Sequence, residues 1–152
     1  MLVNVNTAEE KRKISRMILE DLTEWFGIPE SREQYIAESA DMTMIAAFED
    51  GRAAGFLCLK VTGKDTMEIA VMGLRKEYHH RGIGTALVRE AAKTAHSLGY
   101  SFLQVKTVQE GKYPEYDLTN RFYQHCGFKE FEVMPELWGT DNPCQIYVMS
   151  LI

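Results

Sequence analysis

Residues 71–87 read Val-Met-Gly-Leu-Arg-Lys-Glu-Tyr-His-His-Arg-Gly-Ile-Gly-Thr-Ala-Leu, and this segment constrains the fold more than any other. An apolar, β-compatible run passes through a short charged loop into a helix-forming stretch, with Gly82 and Gly84 at the first turn of that helix. Backbone N–H groups at a helix start have no acceptor of their own, and two positions without Cβ let an anion approach them. The same glycines would also serve a tight strand-to-helix turn, so the pattern alone leaves both readings open. It is not a Walker loop, because no Gly-Lys-Ser/Thr follows. It is a poor dinucleotide fingerprint, because Leu87 holds the third glycine position and the strands before it form a meander rather than a βαβ unit.

The flanking periodicities complete the order of elements. Leu2 to Val5 is a short first strand, followed by a helix from about Ala8 to Phe26 with Thr7 as N-cap and Gly27 and Pro29 as its stop. Ser31-Arg32-Glu33-Gln34 reads as a capping box opening a second helix to about Ser39. Met42–Phe48 and Ala53–Val61 form a hairpin about the Asp50-Gly51 pair, and Thr66–Leu74 is the third strand of the meander. A helix over about Ile83–Leu98 carries Val88, Ala91, Ala92, Ala95 and Leu98 on one stripe and ends at Gly99. Tyr100–Val108 is a strand, Tyr116–Cys126 a helix with Leu118, Phe122 and Cys126 four apart, and Phe128–Met134 and Cys144–Leu151 are the last strands. The expected fold is α/β (α+β), a single mixed, mostly antiparallel sheet flanked by helices. With 152 residues and no Pro- or Ser-rich linker, the chain is expected to form one domain over residues 1–152.

Charge and cysteine usage exclude several classes. Seventeen basic against 22 acidic residues give a net charge of −5, the wrong sign for a nucleic-acid binder. The segment from Arg75 to Lys93 is nonetheless basic, with Arg75, Lys76, Arg81, Arg89 and Lys93 against Glu77 and Glu90, which suits a small polyanion. The acidic stretch from Val108 onward suits either a cationic substrate or plain solvation. The longest apolar stretch, Ala53 to Leu59, is too short to span a membrane, and no signal peptide is visible. A cytoplasmic protein with no membrane or nucleic-acid partner is the expectation. Cys58, Cys126 and Cys144 are odd in number and far apart, so they read as reduced, mostly buried thiols. The four histidines make no ligand spacing, so no metal is expected.

Arg81-Gly82-Ile83-Gly84, preceded by Lys76-Glu77-Tyr78 and followed by Ala86-Leu87, resembles the acetyl-CoA-binding motif of the GCN5-related N-acetyltransferases, the GNAT superfamily. Thr119-Asn120-Arg121-Phe122-Tyr123-Gln124-His125-Cys126-Gly127-Phe128 resembles that family's Tyr-x-x-x-Gly-Phe signature, where a late helix meets a strand. The motifs are separated by one helix and one strand, as in the family, and the element order agrees over nearly the whole chain.

The resemblance implies an acyl-CoA N-acyltransferase fold and transfer of an acetyl group from acetyl-CoA to a primary amine of a small molecule or peptide. It implies that the pyrophosphate of coenzyme A rests on backbone of His80, Arg81, Gly82, Ile83, Gly84, Thr85 and Ala86. The pantetheine arm would follow the strand around Met72, Gly73 and Leu74. His79 is counted with these cofactor-binding residues because it occupies the place where the motif usually has Gln or Arg, and Tyr116 holds the place of a frequent Asn; both depart from the family. The family often dimerises, so a homodimer is among the expected assemblies. No metal is implied. A non-catalytic coenzyme-A sensor of the same fold is the alternative.

Two residues are expected to carry the chemistry. Glu68 stands where some family members place a glutamate general base; the competing reading pairs it with a neighbouring Lys near the strand end. A carboxylate on a central strand is costly unless paired or wet. Tyr123 matches the family tyrosine that protonates the departing thiolate, against the reading of a core aromatic. The resemblance places the acceptor amine beside the first two helices and their connection, so it implies that Trp25, Phe26 and Tyr35 line that site; the competing and favoured reading is core and lid packing.

Overall fold

The Asp50-Gly51 pair closes a two-residue hairpin in a computed structural model that describes residues 1–152. Both residues take left-handed backbone, φ +52° and +77°, the geometry that suits the right-handed twist of the two strands it joins. The strands are β2 (Thr43–Glu49) and β3 (Arg52–Val61), with Glu49 opposite Arg52. The remaining elements are β1 (Leu2–Val5), α1 (Ala8–Leu19), α2 (Pro29–Ser39), β4 (Thr66–Leu74), α3 (Ile83–Ser97), β5 (Phe102–Val108), α4 (Pro114–His125), β6 (Lys129–Met134) and β7 (Cys144–Ser150). The strands hydrogen-bond in the order β1-β2-β3-β4-β5-β7-β6, a mixed seven-stranded sheet with four helices. No helix is long and apolar enough to cross a membrane.

The chain divides into two compact units that share β4. The first holds Met1–Lys60 and Ala70–Ala91. Its core gathers Ile14, Ile18, Leu19 and Leu22 with Ile36, Met44, Phe56 and Val71. Thr7 caps α1 by accepting from the Glu10 N–H at 3.2 Å. Helices α1 and α2 meet through a buried polar contact, with the Ser15 and Ser39 hydroxyls 3.1 Å apart. Gly73 stands in a tightly packed place: a Cβ there would lie 3.0 Å from Ile18 Cγ2, 3.2 Å from Leu22 Cδ1 and 3.3 Å from Phe56 Cε1.

The second unit holds Val61–Ile69 and Ala92–Ile152. Here β4 pairs in parallel with β5, from Thr66↔Phe102 to Ile69↔Val105, while β5–β7 and β7–β6 are antiparallel. Leu103, Val105, Tyr123, Phe128 and Tyr147 are buried in it.

Several boundaries differ from the expectation. Helix α1 ends at Leu19, and hydrogen-bonded turns carry the chain to Phe26. Glu20 and Asp21 place negative charge at the helix end that disfavours it, and the tighter turns still bury Leu22. Helix α2 begins at Pro29, not at Ser31, with Ile28 as N-cap and no side-chain cap bond. Proline at the first helical position starts a helix as readily as it stops one, because the missing N–H would be unpaired there anyway. Leu98 lies beyond α3 and is exposed. On α4 the buried face carries Asn120 and Tyr123, whereas Leu118 is exposed. The three cysteines are free; Cys58 and Cys144 are buried and Cys126 is half-buried.

Candidate active site

In the first unit, β4 leads through a 3₁₀ turn, Lys76–Tyr78, into the loop that starts α3. His80 and Gly82 both take left-handed backbone, with φ +63° and +79°. The first intrahelical bond of α3 is Ala86 N–H to Gly82 C=O at 3.0 Å, so the N–H groups of Ile83, Gly84 and Thr85 precede any intrahelical acceptor. A Cβ at Gly82 would meet nothing within 4 Å, so packing does not demand this glycine. Its left-handed backbone does, and the open space leaves the amides approachable. A shallow cavity lies beside the loop, its lining including Arg81, Gly82, Ile83 and Ala86 with Leu2, Ala47 and the acidic Glu49.

The basic side chains around this loop are less available than their count suggests. Arg75 is buried, and its Nε donates to the Ala53 carbonyl at 2.9 Å. Lys76 is ion-paired with Glu24, and the Glu77 carboxylate lies 3.4 Å from Arg52. The Arg81 guanidinium sits 5.5 Å from the centre of the Tyr78 ring. His79 turns back on its own strand: its Nε2–H donates to the Leu74 carbonyl at 2.7 Å, and its ring meets the Trp25 ring edge-on. The loop therefore offers anions backbone amides first and the Arg81 charge second.

Trp25, Phe26 and Tyr35 are partly buried and pack against the first core. Phe26 and Tyr35 meet edge to face, 5.8 Å between ring centres. Trp25 stands against His79, so the turns after α1 and the end of the 3₁₀ turn are held together.

The second unit carries the two chemical candidates. Glu68 is buried, at 5% exposure, and its Oε1 accepts from Lys106 Nζ at 2.7 Å. Of the two readings open in the sequence, the paired one is realised in geometry, with the partner on β5. Cys144 on β7 lies within their electrostatic reach; burial pushes its thiol up to about 11, with Lys106 lowering it and Glu68 raising it.

Tyr123 is buried on α4, its ring among Phe122, Phe128 and Tyr147. Burial holds its phenol above the usual tyrosine range, and Cys126 pushes in the same direction. No protein group hydrogen-bonds its hydroxyl, whereas the neighbouring Tyr147 hydroxyl donates to Asn120 Oδ1 at 2.6 Å and accepts from Gln124 Nε2 at 3.0 Å. Asn120, fully buried, donates from Nδ2 to the carbonyls of Val108 at 2.9 Å and Tyr116 at 2.7 Å.

Sequence reasoning did not single out Lys106, which pairs with Glu68, or Asn120, which hydrogen-bonds Tyr147. Asn120 had a signal, a polar residue one helical turn before Tyr123 and hence on its face. Lys106 had none, because the register between parallel strands is not written in either strand. No group of three or more His, Cys, Asp or Glu side chains is placed to hold a metal ion.

Comparison with known proteins agrees with this architecture. No curated protein matches the chain by sequence. A GNAT-family protein from Desulfovibrio desulfuricans superposes with a TM-score of 0.88 at 19% identity, covering 100% of this chain and 99% of that one. An aminoglycoside 6'-N-acetyltransferase complexed with coenzyme A gives 0.77 at 18%, covering 100% and 97%. The ribosomal-protein-S18-alanine N-acetyltransferase of Escherichia coli gives 0.78 at 15%, covering 99% and 93%. These likenesses establish the fold. The model of the acetyltransferase (GNAT) family matches residues 12–128, from within α1 to the residue before β6. By that match the chain belongs to the GNAT acetyltransferase family.

Proposed function

We propose that this protein transfers an acetyl group from acetyl-CoA to a primary amine. The observation that carries the reading is the loop before α3, where His80 and Gly82 take left-handed backbone ahead of three amides that precede the first helical bond. Such an array suits a pyrophosphate, and the shallow cavity at Arg81, Gly82 and Ile83 leaves room for one. Acetyl-CoA would supply the activated acetyl group as a thioester.

The chain's own residues have distinct tasks in this reaction. Backbone of Met72, Gly73 and Leu74 on β4 orients the bound substrate. Gly73 keeps that strand close to α1, and the Leu74 carbonyl is already engaged by His79. Glu68 accepts a proton from the incoming amine; one of its oxygens is committed to Lys106, which leaves the other for this task. The Tyr123 hydroxyl donates a hydrogen bond to the departing sulfur. Because burial holds this phenol above its usual range while a thiol titrates near about 8.5, outright proton transfer would run uphill. Donation without full transfer is therefore its principal contribution. Attack is direct, with no covalent intermediate on the chain.

The acceptor is an amine of a small molecule or a peptide. Neighbours of the same fold are named for aminoglycosides and for a ribosomal protein's alanine. The test is turnover of acetyl-CoA against kanamycin, spermidine, free lysine and an Ala-initiated peptide, read as free-thiol release. Release that depends on one of these amines supports the proposal. Binding of acetyl-CoA with no release for any amine favours the sensor reading, and no binding at all defeats both.

A further inference from the structure

The Tyr123 side chain has no hydrogen-bond partner in the protein, so nothing polar aims its hydroxyl. Its direction is set by ring packing alone. One of the packing rings is Tyr147, 6.2 Å away between centres and inclined by 45°. That ring cannot turn freely, because its hydroxyl is held from two sides, donating to Asn120 Oδ1 and accepting from Gln124 Nε2. Asn120 in turn is fixed by both Nδ2 hydrogens, on the Val108 carbonyl at the end of β5 and on the Tyr116 carbonyl one helical turn back. The amide thus spends its two donors and one acceptor lone pair on α4, β5 and β7, with no exposed surface. A fully satisfied buried polar network specifies one geometry, since any shift leaves a buried group unpaired.

We infer that Asn120, acting through the Tyr147 hydroxyl, is a positioning residue for Tyr123. This rests on the proposed role of Tyr123 as hydrogen-bond donor to the departing sulfur. Asn120 and Tyr123 share the buried face of α4. The Asn120–Val108 bond sets where that face meets the end of β5, while the Asn120–Tyr147 bond sets the wall against which the Tyr123 ring stands. Gln124, the residue after Tyr123, closes the network from the outer side of the helix.

The test is a double-mutant cycle on the whole protein, using the most active amine of the panel above. Tyr147→Phe removes only the hydroxyl and keeps the ring. It should lower kcat about tenfold, since small misplacements of a reacting group are costly, while leaving acetyl-CoA affinity unchanged. In the Tyr123→Phe background the same substitution should lower kcat no further, because the hydroxyl it positions is absent. Equal losses in both backgrounds, or no loss in either, would overturn the inference, since a purely structural network is indifferent to the Tyr123 hydroxyl. If Tyr123→Phe alone keeps full activity, the donor role itself falls and the positioning role falls with it. Asn120→Asp is the second arm. It keeps an acceptor for Tyr147 but sets a carboxylate against two carbonyls, and its kcat loss must likewise vanish in the Tyr123→Phe background.

Discussion

Lys106 Nζ lies 2.7 Å from Glu68 Oε1, joining β5 to β4 through a glutamate that is only 5% exposed. A buried charge left without its partner is costly, so the pair is a structural commitment whatever else Glu68 does. It also separates two consequences of mutating either member, one thermodynamic and one kinetic.

Glu68→Gln removes the charge and keeps the shape. If Glu68 accepts the amine's proton, kcat falls about 10²–10⁴-fold, most strongly at low pH where the amine is protonated. An unchanged pH–rate profile would assign Glu68 to Lys106 alone. Lys106→Met strands the carboxylate instead. Its stability loss should be about 3 kcal/mol, the low end for a buried pair, because the Lys106 side chain is 27% exposed.

Gly82 separates conformation from ligand approach. At φ +79° any side chain is strained, yet a Cβ meets nothing, so Gly82→Ala should fold with a cost of about 1–2 kcal/mol. Gly82→Asp adds a negative charge beside the amides. Acetyl-CoA at a hundredfold excess over Kd should stabilise the wild type by about 2.7 kcal/mol. A thermal scan should show that shift kept, if reduced, in the Ala variant and lost in the Asp variant. An Asp variant that shifts like wild type would move the phosphate site elsewhere.

Gly73→Ala tests the contact between β4 and α1. The added methyl meets Ile18, Leu22 and Phe56 at 3.0–3.3 Å, tighter than most Cβ contacts, so these side chains must give by a few tenths of an ångström. Overpacking of this kind costs about 1–3 kcal/mol. A chain of this size loses about 2–4 °C in Tm for each kcal/mol, and calorimetry reads it directly. An unchanged Tm would mean that α1 moves aside without penalty.

Tyr123→Phe should lower kcat about 10–10³-fold at neutral pH with little loss of Tm, because the hydroxyl it removes has no protein partner. Alkaline titration adds a second reading. Burial raises the folded-state pKa of this phenol, so the folded chain keeps a proton that the unfolded chain releases. The corresponding stability is complete below about pH 10, the unfolded value, and is lost as pH rises beyond it. Above pH 10 the wild type should therefore lose stability faster than Tyr123→Phe. Parallel curves would mean that Tyr123 ionises as freely in the folded protein as in the unfolded one.

The sequence by itself determined the local events. The Asp50-Gly51 turn, the Thr7 cap, the strand over Thr66–Leu74 and the glycine loop into α3 each depend on residues a few positions apart, and all four form as read. The family followed from the two motifs because their spacing is also a property of the chain. Boundaries failed where two local rules competed, as at Pro29, which can stop one helix or start the next.

Only the tertiary structure decided which partners the candidate side chains take. Strand alternation puts Glu68, Ala70 and Met72 on one face, but it says nothing of Lys106 standing beside Glu68. Parallel strands are joined through a helix, and no turn sets their register. The surplus of basic residues from Arg75 to Lys93 was real in the sequence, yet Arg75 and Lys76 are occupied by Ala53 and Glu24. Asn120 looked like one more polar helix residue until Val108, Tyr116 and Tyr147 closed around it. Hydrogen-bond partners 12 or 27 residues away are chosen by packing, because burying a polar group is affordable only where the fold brings its complement within reach.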